Sequence, residues 1–109
     1  TMEIAEETRG EIVVMKLTGP QVAPLQARVK ELASNGVTKV VLDLSDVQWF
    51  GSATLGVMSS SLVVLQKAGG GLRLASLTPK VVGILKVTRL LPVFNPADSV
   101  EDAIAGFSA

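Results

Sequence analysis

Few side chains of this 109-residue sequence belong to the types that most often perform chemistry, since it contains no cysteine, histidine or tyrosine. This composition excludes disulfides, cysteine nucleophiles, imidazole acid–base catalysis and the commonest metal ligands. Asp43 and Asp46 could form a carboxylate pair, but a spacing of three with no further acidic ligand is weak support for a metal or an acid–base site. Asp46 fits better as a turn residue that hydrogen-bonds its own backbone. We therefore expect no metal, no cofactor and no enzymatic activity.

Two hydroxyl residues, Ser52 and Thr54, lie where a helix is predicted to begin. A helix N-terminus presents unpaired N–H groups and a partial positive charge, so a phosphate attached there could be held by hydrogen bonds. The plainer and favoured interpretation is that Ser52 caps the helix. An early helical threonine such as Thr54 can likewise satisfy a local backbone group.

An aromatic pair, Trp49 and Phe50, comes just before this helix. Aromatic side chains are enriched at the centres of protein interfaces, so the pair could anchor a partner, but core packing is the favoured interpretation for both. The alternation of side chains along an extended chain predicts that one of the two points inward and the other lies nearer the surface.

The charge balance and the length limit the classes of partner and the domain organisation. Ten basic and ten acidic residues give no net charge, which argues against binding to nucleic acid or to an anionic membrane. The length suits one domain over residues 1–109. The uncharged stretch 47–66 is too rich in serine and glutamine to span a membrane, and the acidic start does not resemble a signal peptide. We expect a cytoplasmic protein without direct membrane insertion.

Hydrophobic periodicity and turn residues predict an α/β domain with a mixed, mostly parallel sheet and about four helices. The strand at 39–44 should be internal and the helix from about Ser52 to Lys67 the most buried. Residues 69–71 are three glycines; a phosphate loop would need Gly-Lys-Ser/Thr, so they are interpreted as a helix end. The predicted strands are Glu3–Arg9, Ile12–Thr18, 39–44, 72–75 and 93–94, and the predicted helices Val22–Ser34, 52–67, Pro79–Leu90 and Ser99–Phe107.

The segment 40–58, VVLDLSDVQWFGSATLGVM, resembles the STAS domain family of anti-sigma factor antagonists. The similarity continues through KAGGGLRL at 67–74 and the last two predicted helices. In that family the second helix begins with Asp-Ser-Ser/Thr-Gly-Leu-Gly. Here the six places are Gly51, Ser52, Ala53, Thr54, Leu55 and Gly56, so only the last two match without qualification. The segment 19–22 also lacks the acidic loop typical of the family's partner surface.

The resemblance implies a regulatory binding domain rather than an enzyme. Its partner would be an anti-sigma factor that is also a serine kinase, and Ser52, or less favourably Thr54, would be the phosphorylation site. A third helix more apolar than one core stripe requires could also meet a partner. The implied partner-binding residues are Trp49, Phe50, Gly51, Ser52, Ala53, Thr54 and Leu55.

Two other functions remain open at this point. The altered motif at 51–54 suits, as an alternative, a cytosolic STAS accessory subunit of a membrane transporter for phospholipids. Sensing of a small ligand or nucleotide follows only from analogy within the family. All three functions are binding functions, and none requires a catalytic residue.

Overall fold

The computed structural model describes residues 3–19 and 23–108. Within these residues, four strands and five helices follow one another: β1 (Glu3–Arg9), β2 (Ile12–Thr18), α1 (Ala23–Ser34), β3 (Lys39–Asp43), α2 (Ser52–Lys67), β4 (Gly71–Ala75), α3 (Pro79–Val87), α4 (Leu91–Phe94) and α5 (Val100–Gly106). The predicted α/β class is confirmed, with one short helix more than expected. The predicted helix start at Val22 lies outside the described residues.

The four strands form one mixed sheet in the order β1-β2-β3-β4. β1 and β2 are an antiparallel hairpin in which Arg9 lies opposite Ile12. β3 runs parallel to both neighbours, with Val41 aligned to Val14 on one side and to Arg73 on the other. The predicted internal position of the 39–44 strand is therefore confirmed.

Helices cover the two faces of this sheet unequally. α1, α2 and α3 contribute to the large core on one face, and α5 alone covers the small apolar cluster on the other. Because β3 is covered on both sides, Val40, Val41 and Leu42 are all fully buried, which accounts for the continuous apolar run in the sequence. The buried residues of α2 are Thr54, Met58, Ser61, Leu62 and Leu65.

The predicted strand at Val93–Phe94 is wrong. These residues belong to the short helix α4, which has Pro92 in its first turn and ends at Asn95 in the left-handed conformation. Proline has no N–H for a strand ladder but suits a first helical turn, so the local chemistry favours the helix. The extra pairing beside β4 comes instead from Ala97, whose N–H donates to the Leu74 carbonyl at 2.8 Å.

The starts of α3 and α5 follow their sequence signals. Ser99 caps α5, accepting a hydrogen bond from the Asp102 N–H at 3.1 Å as predicted. The Thr78 hydroxyl caps α3 in the same way. α3 ends at Val87, before the predicted Leu90, because Arg89 turns into the left-handed region and ends the helical repeat.

Candidate functional site

The segment 44–51 joins β3 to α2 and is anchored to the core and to neighbouring elements. Leu44, Val47 and Phe50 are buried at intervals of three residues. The Leu44 N–H donates to the Ala75 carbonyl at 3.0 Å, and the Thr78 hydroxyl donates to the Val47 carbonyl at 3.2 Å. The residues between these anchors are therefore presented to solvent from a supported loop.

The aromatic pair divides between the core and the surface. Phe50 is buried in the main core, whereas Trp49 is 65% exposed. The predicted division of the pair is confirmed, but core packing of Trp49 is wrong. The loop has left the strand by this point, and its anchors at every third residue leave Trp49 outside while Phe50 packs inward. An exposed tryptophan is unusual enough to suggest a contact surface.

The cap of α2 is Gly51, so the favoured interpretation of Ser52 as a capping residue is wrong. The Gly51 carbonyl accepts the first helical hydrogen bond, from the Leu55 N–H at 3.2 Å, and Ser52 is already inside the helix. Among the described residues no side chain caps this end, and glycine itself has none to offer. By helix geometry, the N–H groups of the first turn then have no partner within the helix and can donate to an external acceptor.

The predicted site residues of the first turn differ in accessibility. Ser52 and Ala53 are exposed, Leu55 is half-buried, and Thr54 is buried, with only 5% of its surface exposed. The surface offered by the loop and the helix start therefore consists of the exposed Trp49, Ser52 and Ala53 and the half-buried Gly51. A kinase would reach the Ser52 hydroxyl directly, whereas Thr54 would first have to move out of the core.

The two aspartates before the loop have structural contacts. Asp46 lies in a turn as predicted, closed by the Val47 N–H, which donates to the Leu44 carbonyl at 3.0 Å. The side-chain hydrogen bond expected of Asp46 is made by Asp43, whose carboxylate accepts the Ser45 N–H at 3.0 Å. Asp46 instead pairs with Lys16 at 3.4 Å, which joins the loop to β2. Asp43 ends the strand, so its carboxylate is the one within reach of the N–H two residues on. Across residues 3–19 and 23–108, no cluster of three acidic side chains could hold a metal ion.

A shallow apolar depression of about 430 Å³ separates Trp49 from α3. Sequence reasoning singled out each side of this depression but did not bring them together. The sequence pattern that could have indicated the depression is the spacing of the α3 residues that line it. They recur at helical intervals on a face that does not pack into the core. The lining residues are Trp49, Lys80, Gly83, Ile84, Val87 and Thr88.

Another hollow, of about 580 Å³, lies at the opposite end of the sheet, where β3 begins. Its charged side chains are already paired. Arg28 donates to Glu6 at 2.8 Å and pairs with Glu31, and Lys39 pairs with Glu11 at 3.2 Å. The hydrogen bonds from Arg28 lower the pKa of the Glu6 carboxyl group. None of the predicted site residues lines this hollow.

Comparison with known proteins places this chain in a family. The model of the STAS domain matches residues 3–103, and the chain belongs to the STAS domain family. A Thermotoga maritima protein named "Putative anti-sigma factor antagonist" is 32% identical over 68% of this chain and 66% of its own length, just under two thirds. "Putative anti-sigma factor antagonist BtrV" of Bordetella bronchiseptica is 32% identical over 76% of this chain and 72% of its own.

Solved structures show the same fold at low identity. An anti-sigma factor antagonist from Mycobacterium paratuberculosis superposes with a TM-score of 0.86 at 20% identity, covering 100% of this chain and 96% of its own. The phosphorylated form of the Bacillus cell fate determinant SpoIIAA has a TM-score of 0.73 at 20% identity, covering 94% of this chain and 97% of its own. The chain is therefore a STAS domain like those of anti-sigma factor antagonists. Within the described ranges, no helix is long and apolar enough to cross a bilayer.

Proposed function

We propose that this STAS domain acts in the cytoplasm by binding an anti-sigma factor that is also a serine kinase. Phosphorylation of Ser52 would dissociate the domain from the anti-sigma factor. The observation that carries this proposal is the exposed Ser52 hydroxyl in the first turn of a helix without a side-chain cap. The relatives' names support the class of partner.

The proposed contact surface runs from Trp49 to Leu55. Trp49, Gly51, Ser52 and Ala53 would touch the partner directly, while Phe50, Thr54 and Leu55 hold them in place by packing underneath. Trp49 offers a large apolar contact next to the hydroxyl, an arrangement suited to tight recognition of the unmodified protein.

Phosphate on Ser52 would be stable on this protein and disruptive to the complex. The free N–H groups of the first turn and the helix dipole would stabilise the added charge. The first turn of α2 also contains no carboxylate that would repel it. In the complex, however, the phosphate would be buried against a surface shaped for a neutral hydroxyl, and an unpaired buried charge is strongly unfavourable.

The test is to incubate the protein with the purified anti-sigma factor and ATP, and to locate phosphate by mass spectrometry. We expect modification of Ser52, normal binding but no phosphorylation for Ser52→Ala, and at least tenfold weaker binding for Ser52→Asp. Ser60→Asp is the matched control, because Ser60 is an exposed serine two turns further along α2. Modification of Thr54 would move the switch by two residues. Absence of both binding and modification would contradict the proposal.

A further inference from the structure

The outer face of α3 has the pattern of a helix that packs against another helix, yet nothing among the described residues covers it. Val81 and Leu85 point into the core. The residues lining the depression on the other side are at 80, 83, 84, 87 and 88, a spacing of one helix face. This face and the Trp49 indole together form what we call the α3 groove. Val87 in it is 84% exposed.

The middle of the groove is open because of Gly83. A glycine in the interior of a helix weakens that helix, and here no contact within the described residues requires one. A Cβ at position 83 would meet no heavy atom within 4 Å, and the residue does not have a positive φ. The absent side chain leaves room for the backbone of an incoming helix to approach α3 closely.

The charged residues on α3 and just beyond its end are all basic. Although the whole protein is neutral, residues 47–97 contain five basic residues and no aspartate or glutamate. Lys80 lines the groove, and Lys86 and Arg89 are exposed on and just beyond α3. The ion pairs among the described residues involve other cations, so these three charges remain available to a partner.

We propose that the α3 groove receives an amphipathic helix of a partner protein, with large apolar side chains along one face and carboxylates at its flanks. The groove extends about 12 Å along α3, from residue 80 to residue 88, which accommodates two turns of a helix. The partner's apolar residues fill the depression between Trp49 and Val87. Its carboxylates pair with the basic residues Lys80, Lys86 and Arg89. A flat bilayer would leave the depression and the gap at Gly83 unfilled, so the shape favours a helix.

This inference rests in part on the proposed function, because Trp49 belongs to both surfaces and the anti-sigma factor is the first protein to test. Val87→Asp and Gly83→Leu place a charge or a side chain in the groove without touching the Ser52 surface. Val63→Asp is the matched control, since Val63 is an exposed valine of α2 outside the groove. Folding of each variant is checked by circular dichroism and urea unfolding.

We expect Val87→Asp and Gly83→Leu to weaken binding of the anti-sigma factor at least tenfold, and Val63→Asp to leave it unchanged. The double variant Lys80→Glu, Lys86→Glu should weaken binding and reverse its salt dependence, whereas Lys67→Glu should not. If wild type binds and only Ser52→Asp loses affinity, the groove inference is overturned while the proposed function stands.

A second measurement decides the inference even if the anti-sigma factor does not bind. Trp49 is the single tryptophan, so its fluorescence reports occupation of the groove. The probe is a helical peptide with leucines at i, i+3, i+4 and i+7 and glutamates beside them, compared with the same peptide carrying lysines. A blue shift with the glutamate peptide alone, lost in Val87→Asp, supports the inference. No shift, equal shifts, or a shift only with phosphatidylglycerol vesicles overturns it, the last in favour of a membrane surface.

Discussion

The indole of Trp49 lies against Gly51, the residue that caps α2. A Cβ built on Gly51 would stand 3.1 Å from the ring atom Cη2, closer than an ordinary van der Waals contact. The resemblance to the STAS family places an acidic residue at this position, and here its absence makes room for the exposed ring. The absence of a side chain at Gly51 and the position of Trp49 are thus one structural feature, at the junction of the proposed Ser52 surface and the α3 groove.

Gly51→Asp should displace the Trp49 ring rather than unfold the protein. The ring is mostly exposed and can swing outward, while the new carboxylate can cap α2, so the free energy of unfolding should rise by about 0.5 kcal/mol. The emission of Trp49 should shift to the red as the indole enters water. Gly56→Ala is the control, since Gly56 is an exposed glycine within α2 with open space around its Cβ, and there the emission should not move. Identical emission of Gly51→Asp and wild type would contradict the packing.

Gly83→Ala should stabilise the isolated protein by about 1 kcal/mol, because alanine favours the helix and the new methyl group meets no neighbour. Urea unfolding monitored by circular dichroism measures the change. A destabilised Gly83→Ala variant would show that an internal contact requires this glycine, and the argument that its space serves an incoming helix would be lost.

Gly70→Ala should be among the most damaging substitutions, lowering the free energy of unfolding by more than about 3 kcal/mol. A Cβ on Gly70 would lie 1.9 Å from the Thr38 carbonyl oxygen, a backbone atom that also accepts the Gly71 N–H at 2.9 Å. Gly69→Ala is the comparison, since its positive φ adds strain of about 1 kcal/mol without a clash. Similar losses in both variants would show that conformation, and not close approach, requires glycine here.

The ion pair of Glu6 with Arg28 stabilises the protein at neutral pH, and this stabilisation should be lost in acid. Arg28 lowers the pKa of Glu6 below 4.5 in the folded state, through its hydrogen bonds and its charge. The stabilisation is therefore complete well above pH 4.5 and is lost as the pH falls through the lowered pKa. In urea unfolding between pH 6 and 3, the free energy of unfolding should fall less steeply with pH for Glu6→Gln than for wild type. Arg28→Gln should show the same shallow fall as Glu6→Gln. Parallel curves for wild type and Glu6→Gln would contradict this origin of the pH dependence.

Local chemistry in the sequence determined most of the fold. The apolar run at 40–42, the periodicity of α1 and α2 and the capping residues Thr78 and Ser99 act over a few neighbouring residues, so they can be recognised without knowing the rest of the structure. The exception, Val93–Phe94, is a two-residue apolar pair whose pattern suits a strand or a helix equally well. Its neighbour Pro92 was the local signal that favours the helix.

The candidate site depended on contacts between distant parts of the chain. Sequence alone indicated that one of Trp49 and Phe50 faces inward, but which one depends on how residues 44–50 are anchored to β4 and α3. Likewise, the sequence shows that residues 47–97 contain no carboxylate, but only the tertiary structure shows that acidic residues elsewhere pair with Arg9, Arg28 and Lys39 rather than with Lys80 or Lys86. Side-chain exposure and electrostatic fields arise from long-range packing, and for this reason the α3 groove became visible only in the tertiary structure.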